Sequence, residues 1–170
     1  MIHLRRHRPD DVDAIHDAVR ESLDELAKWM PWCHSGYSRE DTAGRVATRD
    51  QAWENNEEWD FVIIDDDGRL LGCCGIHHID DVNRTANLGY WVRSTAWNRG
   101  VASRAVEELR DFAFGERDLH RLEILVAAEN TASQRVAEKA GATREALLRE
   151  RLFLHGCYHD AVLLAILRDS

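Results

Sequence analysis

The chain is short of the features that would remove it from the ordinary globular class. Two prolines in 170 residues leave no room for a collagen-like or proline-rich segment. No apolar run approaches the roughly 20 residues that a membrane helix needs, so no membrane partner is expected. The longest such run, Ala161–Leu167, has the length of one strand. The opening residues, Ile2–His3–Leu4–Arg5–Arg6, hold no apolar core of a secretory signal, and the expected location is the cytoplasm. Four cysteines, Cys33, Cys73, Cys74 and Cys157, lack metal-ligand spacing and read as free thiols. Nine histidines supply neither a helical His-x-x-x-His pair nor a Cys/His cluster, so no metal is expected. A clustered positive surface is also missing, and the formal charge is −9. That argues against a nucleic-acid partner and is compatible with a cationic substrate.

What is present is a regular succession of elements sized for one domain spanning 1–170. Residues 2–7 alternate as a first strand. Pro9–Asp10–Asp11 opens a helix whose buried stripe is Val12, Ile15, Val19, Leu23 and Leu26. It stops before Trp29–Met30–Pro31–Trp32, an aromatic loop that reads equally as a substrate wall or as a plug on the core. Ser38–Arg39–Glu40–Asp41 has the form of a capping box and starts a polar surface helix to about Asn55, with Ala43, Val46, Ala47 and Trp53 inward. Trp59–Ile64, Arg69–Ile79 and Ala86–Arg93 make an antiparallel meander with turns at Asp65–Gly68 and Asp80–Arg84. A helix from Val101 to about Phe114 follows, then a strand over His120–Ala127 and a helix over Thr131–Lys139 ended by Gly141. Two strands, about 144–154 and 157–167, meet at His155–Gly156. The right-handed crossover rule sets the 86–93 and 120–127 strands side by side and parallel. The fold class is α+β.

The chemistry centres on Gly89–Tyr90–Trp91–Val92 and on Trp97–Asn98–Arg99–Gly100–Val101–Ala102–Ser103. A strand runs through a glycine turn into a helix, whose free N–H groups and positive dipole end suit an anion such as a phosphate. Arg99 adds charge, and Gly100 lets a ligand approach the backbone.

With Leu26–Trp32 before them and Glu129–Asn130–Thr131–Ala132–Ser133 with Gly141–Ala142 after, these segments resemble the GNAT superfamily of acyl-CoA-dependent N-acyltransferases. The likeness is to its RimJ/RimL-type branch of ribosomal-protein N-terminal acetyltransferases. It implies a single GNAT-like domain, with a mixed, mostly antiparallel sheet splayed between its two parallel strands and flanked by helices. It also implies acetyl-CoA as co-substrate, with its pantetheine arm lying in the splay. Backbone groups of Trp91, Val92 and Arg93, freed by a bulge, would pair with that arm. Asn98, Arg99, Gly100, Val101, Ala102 and Ser103 would hold the pyrophosphate, and Asn130 would reach the pantetheine. Trp97 stands where the family usually has Gln or Arg, and its side chain is expected to offer no polar contact.

The implied reaction is direct attack of a neutral amine on the thioester through a tetrahedral intermediate. A backbone N–H near Val92 would meet the oxyanion, and Ser133 would stabilise the departing thiolate. The usual glutamates are absent: Asn87 and Leu152 stand at their places. His77 or His78 is therefore the candidate base, and because they alternate along a strand at most one faces a given site. Trp29, Trp32 and Tyr90 are candidates to line the acceptor pocket. The acceptor implied is a protein N-terminal α-amine; a small amine, amino acid or polyamine, or a non-catalytic acyl-CoA sensor, are the alternatives. Strands at the sheet end could pair two copies into a homodimer.

Overall fold

The computed structural model describes residues 1–168. Its elements run β1 (Ile2–Arg6), a 3-10 turn (Pro9–Asp11), α1 (Val12–Glu21), α2 (Leu23–Trp29), α3 (Arg39–Glu54), β2 (Trp59–Asp65) and β3 (Leu70–Asp80). There follow β4 (Thr85–Val92), α4 (Val101–Gly115), β5 (Arg121–Ala127), α5 (Thr131–Lys139), β6 (Thr143–Leu154) and β7 (Cys157–Leu167). The strands form one sheet in the order β1-β2-β3-β4-β5-β7-β6. Among the described residues only β4 and β5 pair in parallel. This is the α+β class expected from the sequence.

Strand alternation sorts the interior into two layers. Val62, Cys73 and Trp91 turn toward α1, α2 and α3. Phe61, Ile63, Cys74, Ile76 and Leu88 turn toward α4. The helical stripe read from the sequence is what α4 buries: Val101, Ala105, Val106, Leu109 and Ala113. A fully buried side chain such as Leu109 contributes about 1.5–3 kcal/mol to the docking of that helix.

The first helical segment is broken where the sequence suggested continuity. Ser22 leaves helical geometry between α1 and α2. Its hydroxyl accepts the Ser94 N–H at 2.8 Å, a bond that ties this corner to the loop after β4. Asp11, in the turn that opens the helix, is buried and receives Arg5 through two nitrogens at 2.6 and 2.8 Å. In α3 the capping box forms at Ser38 and Asp41. Thr42, Val46 and Ala52 are buried there and Ala43 and Trp53 pack half-buried against the core, while Ala47 is exposed.

The feature that creates a site is the divergence of β4 from β5. Their pairing covers Thr85–Asn87 against Arg121–Glu123 and then stops. Meanwhile β4 stays paired to β3 as far as Val92, and β5 to β7 as far as Ala127. Beyond Leu88 the two strands bound a V-shaped gap in the middle of the sheet.

Candidate active site

The bulge expected at Trp91–Arg93 is absent. The register of β3 and β4 is unbroken from His77↔Asn87 to Gly72↔Val92. Arg93 donates its N–H to the Leu71 carbonyl at 2.8 Å. In antiparallel pairing, alternate residues direct their backbone groups to opposite neighbours. Arg93 and Trp91 are therefore committed to β3, and Tyr90 and Val92 face the gap. The divergence of β5 frees these groups, not an inserted residue. Trp91 and Arg93 thus offer no free backbone to a ligand in the gap; the Arg93 side chain is engaged by Glu21 and by the Leu70 carbonyl.

Trp97 also departs from expectation, since its indole Nε1–H donates to the Val92 carbonyl at 2.8 Å. Val92 is left with its N–H directed into the gap. At the mouth of the gap, Asn98 and Gly100 take positive φ (57° and 76°) and deliver the chain into α4. No side chain caps that helix, and its first internal bond is Arg104 N–H to the Gly100 carbonyl. The amides of Val101, Ala102 and Ser103 therefore have no intrahelical acceptor, as the anion-site reading requires.

A cavity of about 440 Å³ lies at the gap and extends to Trp29 of α2 and to Arg45 and Arg49 of α3. Trp29, Met30, Pro31 and Trp32 form one wall, with Leu152 and Leu154 of the last hairpin opposite. The aromatic loop is thus a cavity wall, and Trp32 packs at 6.1 Å between ring centroids from Trp91. On the α4 side, Tyr90 is not an acceptor wall alone. Its hydroxyl donates to the Ser133 carbonyl at 2.9 Å and lies 3.0 Å from Ser133 Oγ. Burial, only partly offset by the Ser133 bond, pushes the phenol up to about 12, so it stays a neutral donor. Asn130 caps α5 by accepting the Ser133 N–H at 3.1 Å, and it also borders the cavity. Burial likewise holds the Cys73 thiol far above its ordinary value, which makes it a poor nucleophile despite its place in the lining.

Sequence reading missed a polar cluster on the α3 side. Asp60 of β2 is 7% exposed, and its Oδ1 accepts from His77 Nε2 at 2.9 Å. Arg49 of α3 binds both Glu58 and Asp60. Burial opposes the charge on Asp60, but the His77 hydrogen bond and the charges of His77, Arg49 and Arg45 outweigh it and hold the carboxyl well below its usual range. The available signal was a carboxylate inside the apolar run Trp59–Ile64. Ligand atoms of Glu58, Asp60 and His77 lie within 4.8 Å of one another, a spacing that could hold a cation. The Arg49 guanidinium already supplies a positive charge to both carboxylates.

His77 and His78 both border the cavity, contrary to simple alternation. The β3–β4 register slips between His77 and Asp80, and His78 takes φ 51° there. His78 is exposed, whereas His77 is held by Asp60.

A sheet split at a parallel pair, an uncapped helix end at the mouth and a hydroxyl pair lining the cavity define an acyltransferase of the N-acetyltransferase kind. The chain belongs to the acetyltransferase (GNAT) domain family, whose pattern matches residues 2–143. It is 28% identical over 170 residues to YdaF of Bacillus subtilis (strain 168), assigned as a ribosomal N-acetyltransferase, covering 98% of this chain and 91% of that one. It is 26% identical over 159 residues to the ribosomal-protein-serine acetyltransferase of Escherichia coli (strain K12), covering 94% and 88%. Among solved structures, Mycobacterium smegmatis RimJ in complex with CoA-disulfide superposes with a TM-score of 0.88 at 28% identity, over 98% of this chain and 81% of that one.

Proposed function

We propose that this enzyme transfers an acetyl group from acetyl-CoA to the N-terminal α-amine of a protein, a ribosomal protein being the acceptor the relatives suggest. This reading puts it in the cytoplasm with its acceptors. One observation carries it: where β4 leaves β5, Tyr90 and Ser133 line one cavity and meet through their hydroxyls, one residue separating Tyr90 from the Val92 N–H that β3 leaves unpaired.

The residues present fit coenzyme A. Unpaired backbone groups of Tyr90 and Val92 suit an extended amide-bearing arm, and the free amides of Val101, Ala102 and Ser103, with Arg99 beside them, suit a pyrophosphate. The co-substrate brings the activated acyl carbonyl and a thiol leaving group. The chain's contributions are then a backbone N–H at Val92 for developing negative charge on oxygen, and a hydroxyl at Ser133 for the sulfur. Tyr90 is fixed by burial and by the Ser133 carbonyl, so it orients that hydroxyl rather than acting as an acid. A serine hydroxyl is a far weaker acid than a thiol of pKa about 8.5, which makes Ser133 a hydrogen-bond donor to the thiolate.

Charge on the cavity wall favours a single α-amine over a polyamine. Its acidic residues are Glu58 and Asp60, both engaged by Arg49, with Arg45 adding a further positive charge. A polycation finds no unpaired carboxylate there, whereas one amine followed by small or apolar groups fits the tryptophan wall. The test is thiol release from acetyl-CoA with peptides beginning Ser, Ala or Met, against polyamines and free amino acids, for the wild type beside Ser133→Ala. Peptide-dependent release that falls at least about tenfold in the variant is expected. Faster release with spermidine than with any peptide would overturn the acceptor assignment, and release untouched by the variant would remove Ser133.

A further inference from the structure

Asp60, Gly75 and Gly89 stand in one row across β2, β3 and β4, since Asp60 pairs with Gly75 and Gly75 with Gly89. Two successive glycines leave a bare trough on the sheet face that bounds the cavity. Gly75 cannot carry a side chain: a Cβ there would fall 2.0 Å from Asp60 Oδ1 and 3.0 Å from His77 Nε2. The carboxylate and the imidazole meet in the space that this glycine vacates. On the far side of the ring, Nδ1 and Cε1 stand 3.7 Å from the Cβ position of Gly89. Nδ1 makes no hydrogen bond among the described residues, and it is not one of the buried unpartnered atoms.

From this geometry we propose that His77 Nδ1 is the proton acceptor for the attacking amine, with Asp60 as its positioning residue and Gly75 as the vacancy that lets them meet. The inference rests on the acetyl-transfer reading and adds the base that reading lacks. Asp60, kept ionised by its surroundings, fixes the Nε2–H tautomer, which leaves the lone pair on Nδ1 over the trough. As the N–C bond forms, the amine nitrogen becomes acidic and its proton passes to Nδ1. The C–S bond breaks, and its electron pair leaves on sulfur, hydrogen-bonded by Ser133. The imidazolium formed is stabilised by Asp60 and returns its proton to solvent through the open cavity. The groups around His77 are Asp60 of β2 and Glu58 just before that strand, Arg45 and Arg49 from α3, Cys73 from its own strand, and His7 near Asp60. Arg49 offsets the charge of Glu58, so Asp60 is the carboxylate bonded to the ring.

His77→Gln keeps an N–H donor for Asp60 and removes the basic nitrogen. At pH 7.5 its kcat is expected to fall by about two orders of magnitude, the lower end for general base catalysis, with the KM for acetyl-CoA unchanged. The acidic limb of the wild-type kcat–pH profile disappears with it. In Asp60→Asn the limb remains, while kcat falls severalfold because the ring is no longer held in one tautomer. A kcat for His77→Gln within threefold of wild type, with the limb intact, overturns the proposal.

Nitrogen NMR of the histidine rings decides independently of turnover. A neutral His77 protonated on Nε2, changed in Asp60→Asn, is expected; protonation on Nδ1 refutes the arrangement. If the wild type released no thiol with any acceptor while the ring was protonated on Nε2, the acetyl-transfer reading would fail and the Asp60–His77 arrangement would stand.

Discussion

Replacing Gly75 by alanine puts the packing argument to a quantitative test. The added methyl would lie 2.0 Å from Asp60 Oδ1 and 3.0 Å from Asp60 Cγ, far inside contact distance. Either the carboxylate rotates away from His77 or β2 and β3 shift apart. The first course forfeits a charge-assisted hydrogen bond on a buried group, about 1.5–3 kcal/mol. The second is overpacking of a filled interior, about 1–3 kcal/mol. Some of each gives a loss of about 3–5 kcal/mol, and at roughly 2–4 °C per kcal/mol for a chain this size the melting temperature falls by about 6–20 °C. Gly89→Ala is the matched control. Its methyl meets His77 only at an ordinary 3.7 Å, and Gly89 has no positive φ to protect. Its melting temperature should stay at or slightly above that of the wild type, since alanine restricts the unfolded chain. The assay is calorimetric or circular-dichroism melting of both variants at pH 7.5. Melting temperatures within about 3 °C of each other would refute the claim that the Asp60–His77 contact depends on the Gly75 vacancy.

Two further outcomes are expected. Tyr90→Phe removes the donor to the Ser133 carbonyl and costs about 1 kcal/mol of stability. It frees the Ser133 hydroxyl to rotate, so kcat should fall severalfold while the KM for acetyl-CoA holds; a kcat equal to wild type would mean Ser133 needs no orienting. Acid should act through carboxylates whose folded pKa is depressed. Glu21 is held at about 2 against an ordinary 4.5, chiefly by the Arg93 hydrogen bond with help from Thr95, and Asp60 and Asp11 are lowered as well. A depressed carboxylate stabilises the fold fully above its unfolded pKa and loses that contribution as pH falls through the folded one. The urea midpoint should therefore drop mainly between about 4.5 and 2; a larger loss between about pH 6.5 and 5 would make His7, whose charged form burial disfavours, the main acid-sensitive group instead.

Much of this was readable because it is local. The apolar stripe of α4 depends on residues a few positions apart, and so does the Gly100 turn. The Asn130 cap of α5 is local in the same way, reaching only three residues along the chain. What escaped depends on distant partners. The break at Ser22 answers to Ser94, 72 residues away. The resemblance made Tyr90 a candidate for the acceptor pocket, but the path of β5 and α5 decided that its hydroxyl would meet Ser133. Trp97 appeared to offer nothing polar because its indole bond is to a backbone carbonyl, which no side-chain pattern announces. Asp60 was visible as an anomaly in an apolar strand, yet its meaning needed Arg49 from a helix that composition assigned to the surface.

The gap between β4 and β5 also bears on how this sheet avoids its neighbours. Unpaired strand edges invite other strands and are the usual starting point of edge-to-edge aggregation. Here two such edges lie in the interior, converging at Asn87 and Glu123 and flanked by helices on both faces. A second polypeptide strand needs about 4.8 Å on each side and room for alternating side chains, which a V closed at one end denies along most of its length. A slender chain without side chains meets neither obstacle. The divergence thus works as a steric sieve: it exposes hydrogen-bonding backbone while refusing the partner most prone to take it.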